Sequence, residues 1–337
     1  MNLILAYKNF AANRNISHIG LGVSAINTCK VLQANGVRAI VKRLAGEKDY
    51  LNLDCTQITH VVVSAPWIQT ALHSEMCERY PDTQFAINCH SNVGFLQADP
   101  RGIHLLREGL ELEQGTHNFH VAGNSRRLCA WLVEAYGHPA AYLPNLYYLD
   151  HTTQPHRPGW NHNGGTLRIG VFGATRPLKN FITAIGAAIQ ISRELKAETE
   201  IWVSTNRDDG HGGNTVLEAG KQLVANLPHC KLVPAPWGPW PQFRKLVGSM
   251  HLLLQPSYTE SFNMVTADGV AEGVPSVVSS AITWAPHYWK ADVDDVADVA
   301  AKGIHILHHH RAGFDGLAAL EHHNADGLRA WMEYLRR

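Results

Sequence analysis

The chain lacks any long apolar run. Its hydrophobic stretches last only a few residues, far short of the roughly 20 that span a bilayer. No leader is expected either, because MNLILAYKNF turns polar too soon for a signal peptide; a cytoplasmic protein without a membrane partner follows as the expectation. Cysteine is sparse. The six residues, at 29, 55, 77, 89, 129 and 230, form no C-x-x-C, which argues against a disulfide framework and for free thiols in a reducing compartment. Net charge is absent overall, 29 basic against 29 acidic residues. Acids are nearly missing from one stretch: residues 1–48 hold seven Lys or Arg against one acid, Glu47. That excess is either a solvated surface or an edge that faces a polyanion.

What is there is a globular composition, 45% apolar and 17% charged over 337 residues, enough chain for two domains. Histidine is plentiful at 21, but His308-His309-His310 has no Cys partners and no i, i+4 pair tied to a Glu, so no metal site is expected there.

Short β-branched runs alternate with helical spacing. NLILAY (2–7), VRAIV (37–41), HVVVS (60–64), QFAIN (84–88) and FHVA (119–122) read as strands, with helices over 23–34 and 68–80. The Pro-, Gly-, Asn- and His-rich segment 151–166 reads as a linker. After it the alternation restarts with LRIGVF (167–172), EIWVS (200–204), KLV (231–233), HLLLQ (251–255) and SVVS (276–279), a helix over 181–195 capped by Asn180, and a closing amphipathic helix. Strands alternating with helices imply parallel sheets covered on both faces, with ligands at the strands' carboxyl ends. The expected organisation is a first domain over 1–150, a linker over 151–166, a second domain over 167–320 and a final helix over 321–337 that packs back on the first domain.

The stretch SYTESFNMVTADGVAEGVP (257–275) carries the most chemistry. Pro256 and Ser257 end a buried strand, and a helix runs from about Asn263 to Ala271, stopped by Gly273 and Pro275. Its N-terminus offers unpaired N–H groups and partial positive charge, a phosphate site. Asp268 stands eight residues beyond Glu260, about 12 Å if the segment were all helix. Two acids at that spacing suit the hydroxyls of a sugar and a ribose on either side of a diphosphate; the plainer alternative is a helix cap and a solvated acid. LRIGVFGATRPLKNF (167–181) sets Arg176 and Lys179 on a turn after a strand, where they can neutralise a leaving diphosphate. Gly20 and Gly22, in NISHIGLG, read as a loop between the first strand and helix that lets backbone approach a ligand.

Together these segments resemble the retaining glycosyltransferases of family 4, whose architecture, GT-B, is α/β with two Rossmann-like domains facing across a cleft. The residues that carry the resemblance are PSYTESFNMVTADGVAEGVPSVVS, GATRPLKNF, ISHIGLG, INCHSNVGFL (87–96) and VAGNSRRL with YLPN (121–145). The resemblance implies an enzyme that moves a sugar from a nucleoside-diphosphate sugar, a UDP-sugar first of all, to an acceptor hydroxyl with retention, and needs no metal or cofactor beyond that co-substrate. By resemblance Glu260 contacts the donor sugar, His90 faces the transferred sugar, Arg176 and Lys179 meet the diphosphate, and Gly20, Gly22, Ser261, Phe262, Asn263, Met264 and Asp268 bind the donor. The sequence departs from the family in having Asp268 where the second acid is a Glu, and in the close spacing of Arg176 and Lys179. Its wording is nearest to bacteriophage-encoded members that glycosylate hydroxymethylated pyrimidines in DNA; the basic first 48 residues suit DNA phosphates, and such a base would have to be flipped out. A lipid or cell-surface glycan is the alternative acceptor, and an inactive sugar-nucleotide-binding module the alternative function.

Three further features bear on function. Asp292-Val293-Asp294 has the letters of a metal-binding D-x-D but reads as an acidic helix start. Trp237 and Trp240, in a Pro-rich loop, read first as packing against the next helix and second as base-stacking residues. IGVFGAT opens like a dinucleotide fingerprint, but Arg176 occupies its third glycine position, against a dinucleotide oxidoreductase.

Overall fold

The structure is a computed structural model that describes residues 1–9, 19–150, 153, 160, 165–205, 213–235 and 238–337. Arg14, most of the expected linker, residues 16–18 of the glycine segment and Trp237 lie outside the described residues. The chain divides into two compact units. One gathers the described residues to Tyr148 together with His323–Arg337, and the other holds Leu149–His322.

In the first unit β1 (Asn2–Lys8), β2 (Arg38–Leu44), β3 (His60–Ser64), β4 (Gln84–Cys89), β5 (Phe119–Gly123) and β6 (Ala141–Tyr142) form a parallel sheet in the order β2-β1-β3-β4-β5-β6. The helices are α1 (Ile19–Ala34), α2 (Glu47–Leu51), α3 (Thr70–Arg79), α4 (Val93–Leu96), α5 (Pro100–Gly115) and α6 (Arg126–Tyr136). The strands are apolar on both sides because both faces are covered. Alternate residues point opposite ways: Leu3, Leu5, Val62 and Ala86 pack with Ala25, Cys29 and Leu32 of α1. Ile4, Ala6, Val61, Val63, Phe85 and Ile87 pack on the other face with Met76 of α3, Leu106 of α5 and Leu132 of α6.

In the second unit β7 (Leu167–Val171), β8 (Thr199–Ser204), β9 (Cys230–Ala235), β10 (Leu252–Gln255), β11 (Ser276–Ser279) and β12 (Lys290–Ala291) form a second parallel sheet, ordered β12-β11-β10-β7-β8-β9. Around it lie α7 (Phe181–Leu195), α8 (Gly213–Val224), α9 (Trp240–Val247), α10 (Met264–Ala271), α11 (Val296–His308) and the first half of α12 (Ala312–Tyr334). The chain winds outward from β7 to β9, returns to β10 beside β7, and winds the other way. The loops that leave β7 and β10 therefore diverge, which is the topological switch point where open α/β sheets bind ligands. Helix α10 lies flush on β10: a Cβ on Gly269 would come within 2.6 Å of Leu253 and 2.8 Å of the Val274 carbonyl.

Several expectations need correction. Gly20 and Gly22 are not in a loop; they occupy the first turn of α1, which starts at Ile19. Gly20 is exposed with open space around its Cα, and a Cβ on Gly22 would lie 2.9 Å from the Tyr7 ring. Gly22 thus makes room for Tyr7. The last helix begins at Ala312, well before 321; from His323 on it belongs to the first unit, where Trp331 donates its indole N–H to the Pro144 carbonyl at 2.8 Å. The two-residue strands β6 and β12 were not read from the sequence. Asn180 does precede α7, but its side chain caps nothing there. In left-handed backbone, φ 56°, it donates instead to the Pro256 carbonyl at 3.2 Å and the Val293 carbonyl at 2.9 Å. All six cysteines are free thiols. Among the described residues no helix is long and apolar enough to cross a membrane.

Candidate functional site

The site is built from the two loops at the switch point of the second sheet. After β7, Gly173 takes φ 125°, a conformation open to glycine, and its N–H donates to Ser204 Oγ at 3.1 Å. Arg176, half-buried, then precedes a short 3-10 turn, Pro177–Lys179. After β10 the loop from Pro256 leads into α10. The loops are tied together by backbone, Tyr258 N–H to Leu178 O at 3.0 Å, and by the Asn180 amide on Pro256 O at 3.2 Å.

These ties bring Lys179 and Glu260 into an ion pair across 81 residues of sequence. Their side chains are only 21% and 11% exposed, so the pair is little screened. Asn263 completes the arrangement. It is the N-cap of α10, its Oδ1 accepting from Thr266 N–H at 2.9 Å, while its amide donates to Glu260 Oε1 at 3.0 Å and Gln255 Oε1 at 3.2 Å. Gln255, buried at the end of β10, donates in turn to the Phe172 carbonyl at 3.1 Å. A continuous polar chain therefore runs from the end of β7 through Gln255, Asn263 and Glu260 to Lys179. Asn263 holds it at φ 66°, ψ 91°, a sparsely populated conformation kept only where the surroundings demand it.

The other expected donor residues lie along the same segment. Ser261 is half-buried; Phe262 is 2% exposed and stacks on Trp284, whose indole donates to the Phe262 carbonyl at 2.7 Å. Met264 opens α10, and no acid sits in the first turn, so the tip stays attractive to an anion. Because the helix starts at Met264 and not at Glu260, Asp268 lies about 6 Å of rise from the tip, half the span expected from an all-helical segment. Its carboxylate is 1% exposed and accepts the indole N–H of Trp240 at 2.9 Å. One turn further along both helices, Arg244 donates to Glu272 at 2.9 and 2.7 Å, and its guanidinium lies 5.6 Å from the Trp240 ring centre. Sequence reasoning saw Trp240 but missed both links, which join residues 28 apart.

His90, Gly20 and Gly22 belong to the first unit. His90 follows β4 and is half-buried; burial pushes its pKa down to about 4, so the ring is neutral at pH 7. Asp295 caps α11, accepting from Ala297 and Asp298 N–H at 2.8 and 3.2 Å, and Asp294 accepts from Tyr258 OH at 3.0 Å. Among the described residues no three His, Cys, Asp or Glu side chains cluster in a way that could hold a metal ion. Gly170 lies inside β7, where a Cβ would meet Leu253 at 2.7 Å; it serves strand packing, unlike a fingerprint glycine.

No protein-family model matches the chain, and no curated protein matches it. Its likeness is to solved structures. A UDP-forming α,α-trehalose-phosphate synthase from Burkholderia vietnamiensis superposes with a TM-score of 0.67 over 100% of both chains at 11% identity. A sucrose-phosphate synthase from Thermosynechococcus elongatus gives 0.66 over 99% of each chain at 13% identity. TarM from S. aureus, solved with UDP, gives 0.59 over 82% of this chain and 55% of that one at 10% identity. At such identities the likeness is one of fold: two six-stranded parallel sheets with their helices, the α/β fold called GT-B.

Proposed function

We propose that the chain is a glycosyltransferase that takes a nucleoside-diphosphate sugar at the switch point of its second sheet and passes the sugar to an acceptor hydroxyl. One observation carries this reading: the buried Lys179–Glu260–Asn263 arrangement at the tip of α10. It pairs a cation and an anion-attracting helix tip with a carboxylate. The first two suit a diphosphate and the third suits sugar hydroxyls. The solved structures named above, among them a UDP-forming synthase and a UDP-bound protein, support a UDP-sugar as the first donor to try.

The reaction proposed is transfer with retention. The acceptor oxygen forms its bond to the anomeric carbon on the face from which the diphosphate leaves; the carbon–oxygen bond to the diphosphate breaks, and a departing phosphate oxygen takes the acceptor's proton. The protein's part is orientation and charge stabilisation. Lys179 and Arg176 offset the charge growing on the diphosphate, the α10 tip binds it, and Glu260, fixed by Asn263, holds sugar hydroxyls. His90, neutral at pH 7, is proposed to hydrogen-bond the transferred sugar.

Hydroxymethylated DNA is the acceptor implied by the resemblance, and the basic N-terminal stretch suits its phosphates. Arg38, Lys42 and Arg43 are exposed on β2, at the edge of the first sheet. Cations on an edge strand also repel strand pairing, so the salt dependence of binding decides: an affinity for hydroxymethylated duplex that falls steeply with salt supports a DNA acceptor, and indifference to salt removes it. The transfer reaction is tested by incubating the protein with UDP-, ADP- and GDP-sugars and measuring released nucleoside diphosphate and product mass on DNA, lipid and glycan panels. Release from one donor, lost in Glu260→Gln, is expected. Donor binding without release would leave an inactive binding module, and neither binding nor release from any donor would overturn the proposal.

A further inference from the structure

We infer that Trp240 is the shelf on which the donor's nucleobase lies, and that Asp268 acts as a positioning residue that holds this indole instead of gripping the ribose. The inference rests on the nucleotide-sugar reading of the site and adds where the base goes.

Asp268 is the one side chain among the described Asp, Glu, Lys and Arg residues that is buried, at 1% exposure. A carboxylate is costly to bury, so its place in the middle of α10 calls for a reason beyond stability. Its indole contact supplies one. Trp240 is only half-buried, unlike Trp67, Trp160, Trp284, Trp289 and Trp331, which are core residues at 9% exposure or less. Yet it is fixed more firmly than packing requires. Its N–H is held by Asp268 at 2.9 Å. Its ring lies against the Arg244 guanidinium, itself fastened to Glu272. Its backbone is set between Pro239 and Pro241, each of which locks φ. A flat apolar surface that is partly exposed and pinned on three sides is preorganised for stacking.

The position fits one nucleotide. Diphosphate at the α10 tip puts ribose about one turn down the helix and the base beside α9, since Asp268 of α10 and Glu272 just past its end meet Trp240 and Arg244. Stacking accepts any base, because every base has a π-face. Trp240 thus supplies affinity for a nucleoside diphosphate without choosing among bases. The Asp268 charge polarises the indole N–H and enriches the ring that faces Arg244.

Calorimetry on the full-length protein with UDP, ADP, GDP, their 2′,3′-dideoxy forms and inorganic pyrophosphate tests the inference. Trp240→Ala is expected to weaken the tightest nucleoside diphosphate about tenfold and to leave pyrophosphate unchanged. Trp240→Phe, which keeps a stacking ring, and Asp268→Asn, which keeps an acceptor oxygen, are expected to retain most of the affinity. Asp268→Ala should weaken binding but add little in a Trp240→Ala background. Removing the ribose hydroxyls should cost the wild type and Asp268→Ala equally. If that cost vanishes in Asp268→Ala while Trp240→Ala binds normally, Asp268 holds the ribose and the inference is wrong. Should Asp268→Ala fail to fold, the contrast between Trp240→Ala and Trp240→Phe still decides. Nucleoside-diphosphate binding that ignores Trp240 overturns this inference alone; a wild type that binds none of these nucleotides overturns the donor site with it.

Discussion

At the carboxyl ends of the first sheet the buried polar groups are neutral. Asn88 donates to the Leu143 carbonyl at 2.9 Å, Ser125 to Asn92, and Ser24 to Asn145 at 2.6 Å. At the corresponding ends of the second sheet the ties carry charge: Lys179 with Glu260, and Trp240 with Asp268. Neutral amides are enough to fasten loops to strands. Ion pairs of low exposure give a fold little net stability, because desolvation offsets their attraction. Charge concentrated at one switch point suits the charged donor proposed for it, and the neutral ties of the first unit show that loops of the same architecture are held without such charge.

The sharpest way to break that contrast is a pair of variants. Glu260→Gln should lower transfer about 10²- to 10³-fold with its melting temperature nearly kept. Ser24→Ala, which strands the buried Asn145 oxygen, should cost about 1–3 kcal/mol of stability and leave turnover per folded molecule unchanged. Steady-state rates set beside urea titrations check both. Next in size, Lys179→Met should slow transfer about 10²-fold and also destabilise, because Glu260, 11% exposed, loses its cation. If the rate falls without any loss of stability, the resting ion pair contributes nothing to the fold.

Acid should separate the units. Burial holds His60 at about 4 and His73, which also meets Tyr50 OH at 2.9 Å, at about 3; with His90 at about 4, all three lie in the first unit. Each stays neutral when folded and takes a proton near pH 6.5 when unfolded, so the unfolded chain binds more protons below that pH. Their contribution is fully present above about pH 6.5 and is lost progressively toward pH 4 and below. Denaturation midpoints of the first unit should fall over that window, and NMR titration of the imidazoles checks the cause; rings that protonate near 6.5 would refute it. The smallest effect concerns Asn263. Asn263→Ala should cost about 1 kcal/mol for the lost cap plus the strain of Ala at φ 66°, whereas Asn263→Gly should cost only a few tenths. Both should impair transfer alike, since both release Glu260.

The start of α10 could be read from the sequence because its signals are local: Pro256 ends the strand, Asn263 caps, and Gly273 and Pro275 stop the helix. The Glu260–Lys179 ion pair was not legible: each residue had an expected role toward the donor, but nothing signalled that they meet, since 81 residues separate them. Strands β6 and β12, two residues each, are too short to show a period. The loop expected at Gly20 and Gly22 is the first turn of α1, because glycine has the same letter whether it loosens a turn or, like Gly22 beside Tyr7, clears space for a neighbouring ring. The Trp240–Asp268 and Arg244–Glu272 links were hidden because helix-to-helix register is set by packing, which no local pattern encodes.

Gly269 has a consequence for motion. With Leu253 and the Val274 carbonyl already within 3 Å of where a side chain would begin, α10 has no slack against the strand beneath it. Its first turn cannot withdraw to admit a bulkier group or advance to meet a smaller one. Under the proposed reading, adjustment to different sugars falls to the loops after β7 and β10, while the helix tip stays at one fixed height above the sheet.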